Sequence, residues 1–200
     1  SVGFGGSCFQ KDILNLVYLS KYYGLDEVAD FWYQVIKINN YQKARFSKKI
    51  IDELNGTIKS KKISVLGWAF KKDTNDSRES ASIYVTDHLL EEGAQVCIYD
   101  PKVDKDQMVN DLQNLWELNN TSKSEIESKL KRLNITQDYE ECFNNSSCIA
   151  VLTEWDEFIT YDWNSLIQNM EKQHVIIDGR NILDRDKISR VANKFIAIGK

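Results

Sequence analysis

Apolar positions recur at helical spacing over the first quarter of the chain and gather into short runs thereafter. Ile13, Leu14, Leu16, Val17 and Leu19 share one face at steps of three and four, which predicts a helix over residues 8–23 that ends near Gly24. Val28, Phe31, Trp32, Val35, Ile36 and Ile38, followed by Phe46, Ile50, Ile51 and Leu54, predict one or two further helices between Leu25 and Leu54. Phe31 and Trp32 read as packing residues of a core or an interface. After Asn55-Gly56-Thr57 and the polar link Lys59 to Lys62, the pattern changes. Strands are predicted at Ile63–Leu66, Gln95–Tyr99, near Ile135, at Cys148–Leu152, Val175–Asp178 and Phe195–Ile198. Helical stretches fall between them, around 80–90, 107–118, 124–133, 139–143, 155–158, 163–170 and 187–192. That alternation predicts an α/β fold with a doubly wound parallel sheet over residues 61–200, preceded by a helical segment over residues 1–60.

Sheets of this kind bind ligands beyond the carboxyl ends of their strands, which singles out the loop Gly67 to Ser80. It carries Lys71, Lys72 and Arg78, with Ser80 placed to cap the next helix, so it reads either as an anion site or as a solvated charged loop. No G-x-G-x-x-G occurs, so the usual pyrophosphate cradle is missing. Without those glycines, Asp100 reads as a turn residue before Pro101 rather than as a ribose-binding acid.

Composition narrows the classes. Two hundred residues with 42% hydrophobic content can bury one core plus a helical extension. A net charge of −4 gives no basic field for nucleic acid, and Lys43, Arg45, Lys48 and Lys49 read as the solvated face of a helix. No apolar run reaches the roughly 18 residues of a membrane span, and no signal peptide is seen. Cys8, Cys97, Cys142 and Cys148 form no C-x-x-C pair, and His88 and His174 lie far apart, so no metal site is expected. Free thiols suit a reducing, cytoplasmic setting.

The candidate chemistry lies at the start of the chain, in Gly3-Phe4-Gly5-Gly6-Ser7-Cys8-Phe9-Gln10-Lys11-Asp12. The glycines allow close backbone approach, and Ser7 reads as a helix N-cap that puts Cys8 in the first turn. Unpaired amides, the helix dipole and Lys11 all favour a thiolate there. Asp12, one turn on, is an acid/base candidate within reach of a water or proton at the sulfur. Most free cysteines are inert packing residues, and that reading of Cys8 stands beside the chemical one.

The string GFGGSCFQKD resembles the catalytic-cysteine segment of the nucleotide-sugar dehydrogenases. Its Phe-Gln-Lys-Asp ending is similar to the UDP-glucose-oxidising branch, whereas the GDP-mannose and UDP-N-acetylmannosamine branches more usually carry Leu-Pro-Lys-Asp. The likeness continues through residues 39–50, 66–80, 98–103, 153–158 and 178–184, nearly end to end. The resemblance implies a helical dimerisation segment followed by a Rossmann-like UDP-sugar-binding domain. It implies Cys8 as catalytic thiol with Asp12 as its acid/base partner, and Phe4, Gly5, Phe70, Lys71 and Arg180 around the UDP-sugar. Cys8, Phe9, Gln10, Lys11 and Arg78 are implied to face an NAD held mainly by another domain. The implied reaction oxidises C6 of UDP-glucose twice, with two NAD, to give UDP-glucuronate through a thiohemiacetal and a thioester on Cys8. The chain then corresponds to the C-terminal part of a longer enzyme without its NAD-binding domain, and is expected to be inactive alone. Three other readings remain: a binding or oligomerisation module without catalysis, a related GDP-mannose or UDP-N-acetylmannosamine dehydrogenase, and a stand-alone NAD binder.

Overall fold

The computed structural model describes residues 1–199. Helices α1 (Phe9–Tyr22) and α2 (Asp26–Glu53) pack together as a hairpin turned at Gly24. The second run is thus one 28-residue helix, not two. Its two halves face different surroundings. Phe46 and Ile50 are buried against the sheet domain, whereas Val28, Phe31 and Ile38 are exposed.

The remaining elements alternate in the order β1 (Lys62–Leu66), α3 (Ala81–Glu91), β2 (Gln95–Tyr99), α4 (Lys105–Leu118), α5 (Lys123–Leu130) and β3 (Leu133–Ile135). They continue through α6 (Tyr139–Phe143), β4 (Cys148–Val151), α7 (Asp156–Thr160), α8 (Trp163–Ile167), β5 (Val175–Asp178), α9 (Arg185–Val191) and β6 (Lys194–Ala197). All neighbouring strands pair in parallel, in the order β3-β2-β1-β4-β5-β6. Ile63, Val65, Ile98, Ile149, Val151 and Ile176 are buried at 1% exposure or less, as continuous apolar strands must be when both sheet faces are covered. Strand order reverses between β1 and β4, and the loops leaving these two strands meet there. Thr153 Oγ1 donates to the Ala69 carbonyl at 2.6 Å, and a β-carbon on Gly67 would lie 2.4 Å from Thr153. This switch point is where such sheets open a crevice for ligands.

Candidate functional site

The glycine-rich segment before α1 lies across the loop that follows β1. The Gly6 N–H donates to the Arg78 carbonyl at 2.8 Å. A β-carbon on Gly5 would sit 2.5 Å from the Glu79 carbonyl oxygen and 3.1 Å from Phe70, so only glycine allows this approach. The Asn39 side chain grips the same segment, accepting from Phe4 N–H at 2.8 Å and donating to Phe4 C=O at 3.0 Å. This seating moves the helix start. Cys8, not Ser7, is the N-cap residue of α1, with no side-chain cap bond, and the Ser7 hydroxyl instead lies 3.5 Å from Cys8 Sγ. The expected Ser7 cap, with Cys8 inside the first turn, is therefore corrected by one position.

Cys8 is exposed, and Asp12 N–H donates to its carbonyl at 2.8 Å, which fixes the carboxylate one turn along. Among the described residues no hydrogen bond joins the Asp12 carboxylate to the sulfur. Phe9 packs edge-on to Phe4 at 4.6 Å between ring centroids. Gly6, Ser7, Gln10 and Lys11 form one wall of a groove of about 480 Å³, and Arg78, Glu79 and Tyr84 form the facing wall. Gln10 Oε1 is buried without a hydrogen-bond partner among the described residues.

The loop after β1 distributes its charges unequally. Lys72 is paired with Asp156 at 2.8 Å, and Arg78 forms two bonds to Asp76 at 2.8 and 2.9 Å. The Asp76 pair, with a smaller contribution from the nearby Cys8 sulfur, holds the Arg78 guanidinium above its ordinary range. Lys71, beside Phe70, is exposed and has no ion-pair partner among the described residues. Ser80 caps α3 as expected, its hydroxyl accepting from Ser82 N–H.

Two buried carboxylates shape the loops around the crevice. Asp100, at the end of β2, accepts from the backbone N–H groups of Trp68, Ala69, Lys102 and Val103 and from Trp155 Nε1. It is the turn residue expected before Pro101, but it also holds the start of the β1 loop. Asp178, at the end of β5, accepts from Arg180, Asn181, Ile182 and Leu183. That turn aims Arg180 at an ion pair with Glu154 and at Ser1 Oγ, 3.2 Å away. A β-carbon on Gly179 would meet Val2 at 2.5 Å, so the first residues close over this end of the sheet.

Arg45, Lys48 and Lys49 are exposed, as expected of a solvated basic face, but Lys43 is not. It is 3% exposed, one turn after Asn39 and beneath the glycine segment. Its ammonium lies 3.5 Å from the Tyr84 ring centroid and 4.0 Å from Glu79 Oε2, which accepts from the Tyr84 hydroxyl at 2.6 Å. Burial lowers its pKa to about 8, with the Glu79 charge opposing. Burial and the bond to Glu79 raise the Tyr84 phenol. Asn39, Lys43, Glu79, Asp100 and Asp178 thus support the site without having been singled out for it by sequence pattern alone, apart from the turn role of Asp100.

Residues 64–185 match the UDP binding domain of the UDP-glucose/GDP-mannose dehydrogenase family, and residues 1–41 match its central domain. UDP-glucose 6-dehydrogenase 3 of Oryza sativa subsp. japonica is 45% identical over 203 residues, covering 100% of this chain and 42% of that protein. UDP-glucose 6-dehydrogenase of Drosophila melanogaster is 46% identical over 201 residues, covering 100% of this chain and 41% of that protein. The structure of a UDP-glucose dehydrogenase from Pyrobaculum islandicum aligns with a TM-score of 0.70 at 26% identity, over 98% of this chain and 38% of that one. The chain therefore spans about 42% of the length of the curated relatives it matches.

Proposed function

The chain belongs to the UDP-glucose/GDP-mannose dehydrogenase family, and from that premise we propose that it supplies the UDP-sugar site and the nucleophile of a UDP-glucose 6-dehydrogenase. The observation that carries this reading is the seating of Gly5 and Gly6 on Phe70, Arg78 and Glu79, which brings the cysteine segment onto the loop that follows β1. Phe4, Gly5, Phe70, Lys71 and Arg180 hold UDP-glucose. Lys71 is suited to a diphosphate because no carboxylate among the described residues already neutralises it. Arg180 is positioned by the Asp178 turn, and a UDP-sugar there would have to draw it from its ion pair with Glu154.

The groove fits one side of an NAD. Lys11, Gln10 and Arg78, the last already paired with Asp76, are the residues that would hold it. An NAD held there would supply the hydride acceptor for oxidation at C6 of the sugar. The chain's own residues do the rest. Cys8 adds to the C6 aldehyde to give a thiohemiacetal, and after the second oxidation the resulting thioester is opened by water to release UDP-glucuronate. Asp12, one turn from Cys8, holds that water and takes its proton. The 200 residues contain no G-x-G-x-x-G, so this groove is only part of a dinucleotide site. The chain by itself is expected to bind UDP-sugar weakly at best, without turnover. Its buried thiols suit a cytoplasmic setting, and no helix among the described residues is long and apolar enough to cross a membrane.

A second role rests on a separate observation. Tyr18, Tyr22, Leu25, Val28, Phe31, Ile38 and Tyr41 are all more than 40% exposed on α1, α2 and the turn between them. Apolar surface of that extent favours a homodimer through the helical segment.

Calorimetric titration with UDP-glucose tests the reading, with UDP, GDP-mannose and NAD as comparators. Binding of UDP-glucose that weakens about tenfold or more in Lys71→Ala is expected from loss of a charge-assisted phosphate contact. Equal affinity for GDP-mannose would move the chain to another branch of the family. Absence of any nucleotide-sugar binding would leave the oligomerisation role alone.

A further inference from the structure

Three of the four cysteines are buried, and two of those three face each other. Cys97 lies on β2 and Cys142 on α6, with their sulfurs 3.6 Å apart. We infer that Cys97 and Cys142 form an oxidisable dithiol, a modification site at which a hydroperoxide closes a disulfide between β2 and α6.

Geometry carries this independently of the proposed dehydrogenase reaction. The two sulfurs need to approach by only about 1.6 Å to reach the ~2.05 Å of a disulfide. α6 is five residues long, and its end is tied to the sheet by Ser64 Oγ, which donates to the Cys142 carbonyl at 2.6 Å. Solvent lies one side chain away, because Asn134 is exposed and its amide donates to Cys97 Sγ at 3.5 Å. A groove of about 280 Å³ runs past Cys97 and Asn134, lined also by Lys62, Lys131 and Arg132. Lys62 is fixed there by bonds to the carbonyls of Glu141 and Asn144.

The two thiols are also unequal. The contact with Cys142 lowers the Cys97 pKa against the opposing effect of burial, with Lys62 adding to the lowering, while the same contact and burial raise Cys142. Cys97, which lines the groove while Cys142 lies behind it, is the attacking group, and Cys142 the resolving one. In the first step the Cys97 thiolate attacks one peroxide oxygen, the O–O bond breaks, and the departing hydroxide takes up a proton as water, leaving a sulfenic acid. In the second step Cys142 attacks that sulfur and the sulfenic hydroxyl leaves as a second water. Two thiols lose two electrons, and one hydroperoxide is reduced to two waters in the case of hydrogen peroxide. Cys148 has no such partner, and full burial raises its thiol.

The test uses the folded 200-residue chain. Exposed Cys8 is first blocked with iodoacetamide, hydrogen peroxide is added, and the chain is then denatured, alkylated and mapped by mass spectrometry. The expected product is a cross-linked peptide pair holding Cys97 and Cys142, lighter by two hydrogens and reopened by dithiothreitol, with Cys148 still alkylated. In Cys142→Ser the Cys97 sulfenic acid should accumulate and react with dimedone. A wild-type comparison in urea does not depend on that variant folding. The Cys97–Cys142 bond should form about tenfold or more faster in the folded chain, where the sulfurs are held together. Full alkylation of both cysteines after peroxide, equal cross-linking to Cys148, or equal rates folded and in urea would overturn the inference.

Discussion

The side-chain amide of Asn39 holds Phe4 by both of that residue's backbone groups, at 2.8 and 3.0 Å. One residue of α2 thereby fixes the segment that carries Cys8. In Asn39→Ala both bonds are lost, and Phe4 is left without these partners. A stability loss of about 1–3 kcal/mol is expected, with UDP-glucose binding weakened about tenfold as the segment lifts from Phe70. Urea unfolding and calorimetry measure the two effects. Unchanged values in both would mean that the glycine contacts alone seat the segment.

Lys43 makes stability depend on pH in a defined direction. Its folded pKa is lowered to about 8 from 10.5. Below pH 8 the folded chain bears the full cost of a buried ammonium. Between pH 8 and 10.5 the unfolded chain binds a proton that the folded chain has released, so the Lys43 contribution to stability rises with pH. Lys43→Met removes the charge and keeps much of the stem. At pH 7 the variant should be more stable than the wild type, by at most on the order of 3 kcal/mol. That gap should close as the pH approaches 10.5. A gap that stays constant across denaturation curves over this range would show that the ammonium is not its source.

Asp100 and Asp178 organise loops without offering a free oxygen to a ligand. Asp100→Ala strands four backbone N–H groups and the Trp155 indole. A loss on the order of 3 kcal/mol or more is expected. Asp178→Asn keeps the shape of the side chain but loses half of its acceptor capacity. It should lower UDP-glucose affinity through Arg180 while leaving the sheet folded. Affinity equal to the wild type in a folded Asp178→Asn chain would show that Arg180 does not depend on this turn.

The exposed face of α1 and α2 predicts association. Phe31→Glu and Ile38→Glu place charges among side chains that are 66% and 60% exposed. Light scattering should show a shift from dimer to monomer with the helical circular dichroism retained. A wild-type chain that is already monomeric at the same concentration would remove the case for this interface.

The sheet was legible because parallel strands buried on both faces must be short apolar runs, and Val175–Asp178 and Gln95–Tyr99 fall where such runs predict them. The cysteine segment was legible through its glycines and its family likeness. Ser7 misled because local capping chemistry gave way to a distant contact, the Gly6 bond to Arg78, which sets where α1 begins. Lys43 misled for a similar reason. Whether a helical lysine is solvated depends on what lies over it, and here the cover is a glycine segment far away in sequence. Asn39 has the same origin, its partner Phe4 being 35 residues away.

The contact between Val2 and Gly179, and the bond from Arg180 to Ser1, join positions near opposite ends of the chain. Closing so large a loop costs more chain entropy than pairing neighbouring strands, and nothing offsets that cost until β5 and its turn exist as a docking surface. During synthesis the glycine segment emerges before the sheet and has nowhere to settle. It must wait, exposed with its cysteine, until almost the whole sheet has been made. The seat of Cys8, a residue that stays exposed in the finished fold, is thus the last part of the domain to be completed.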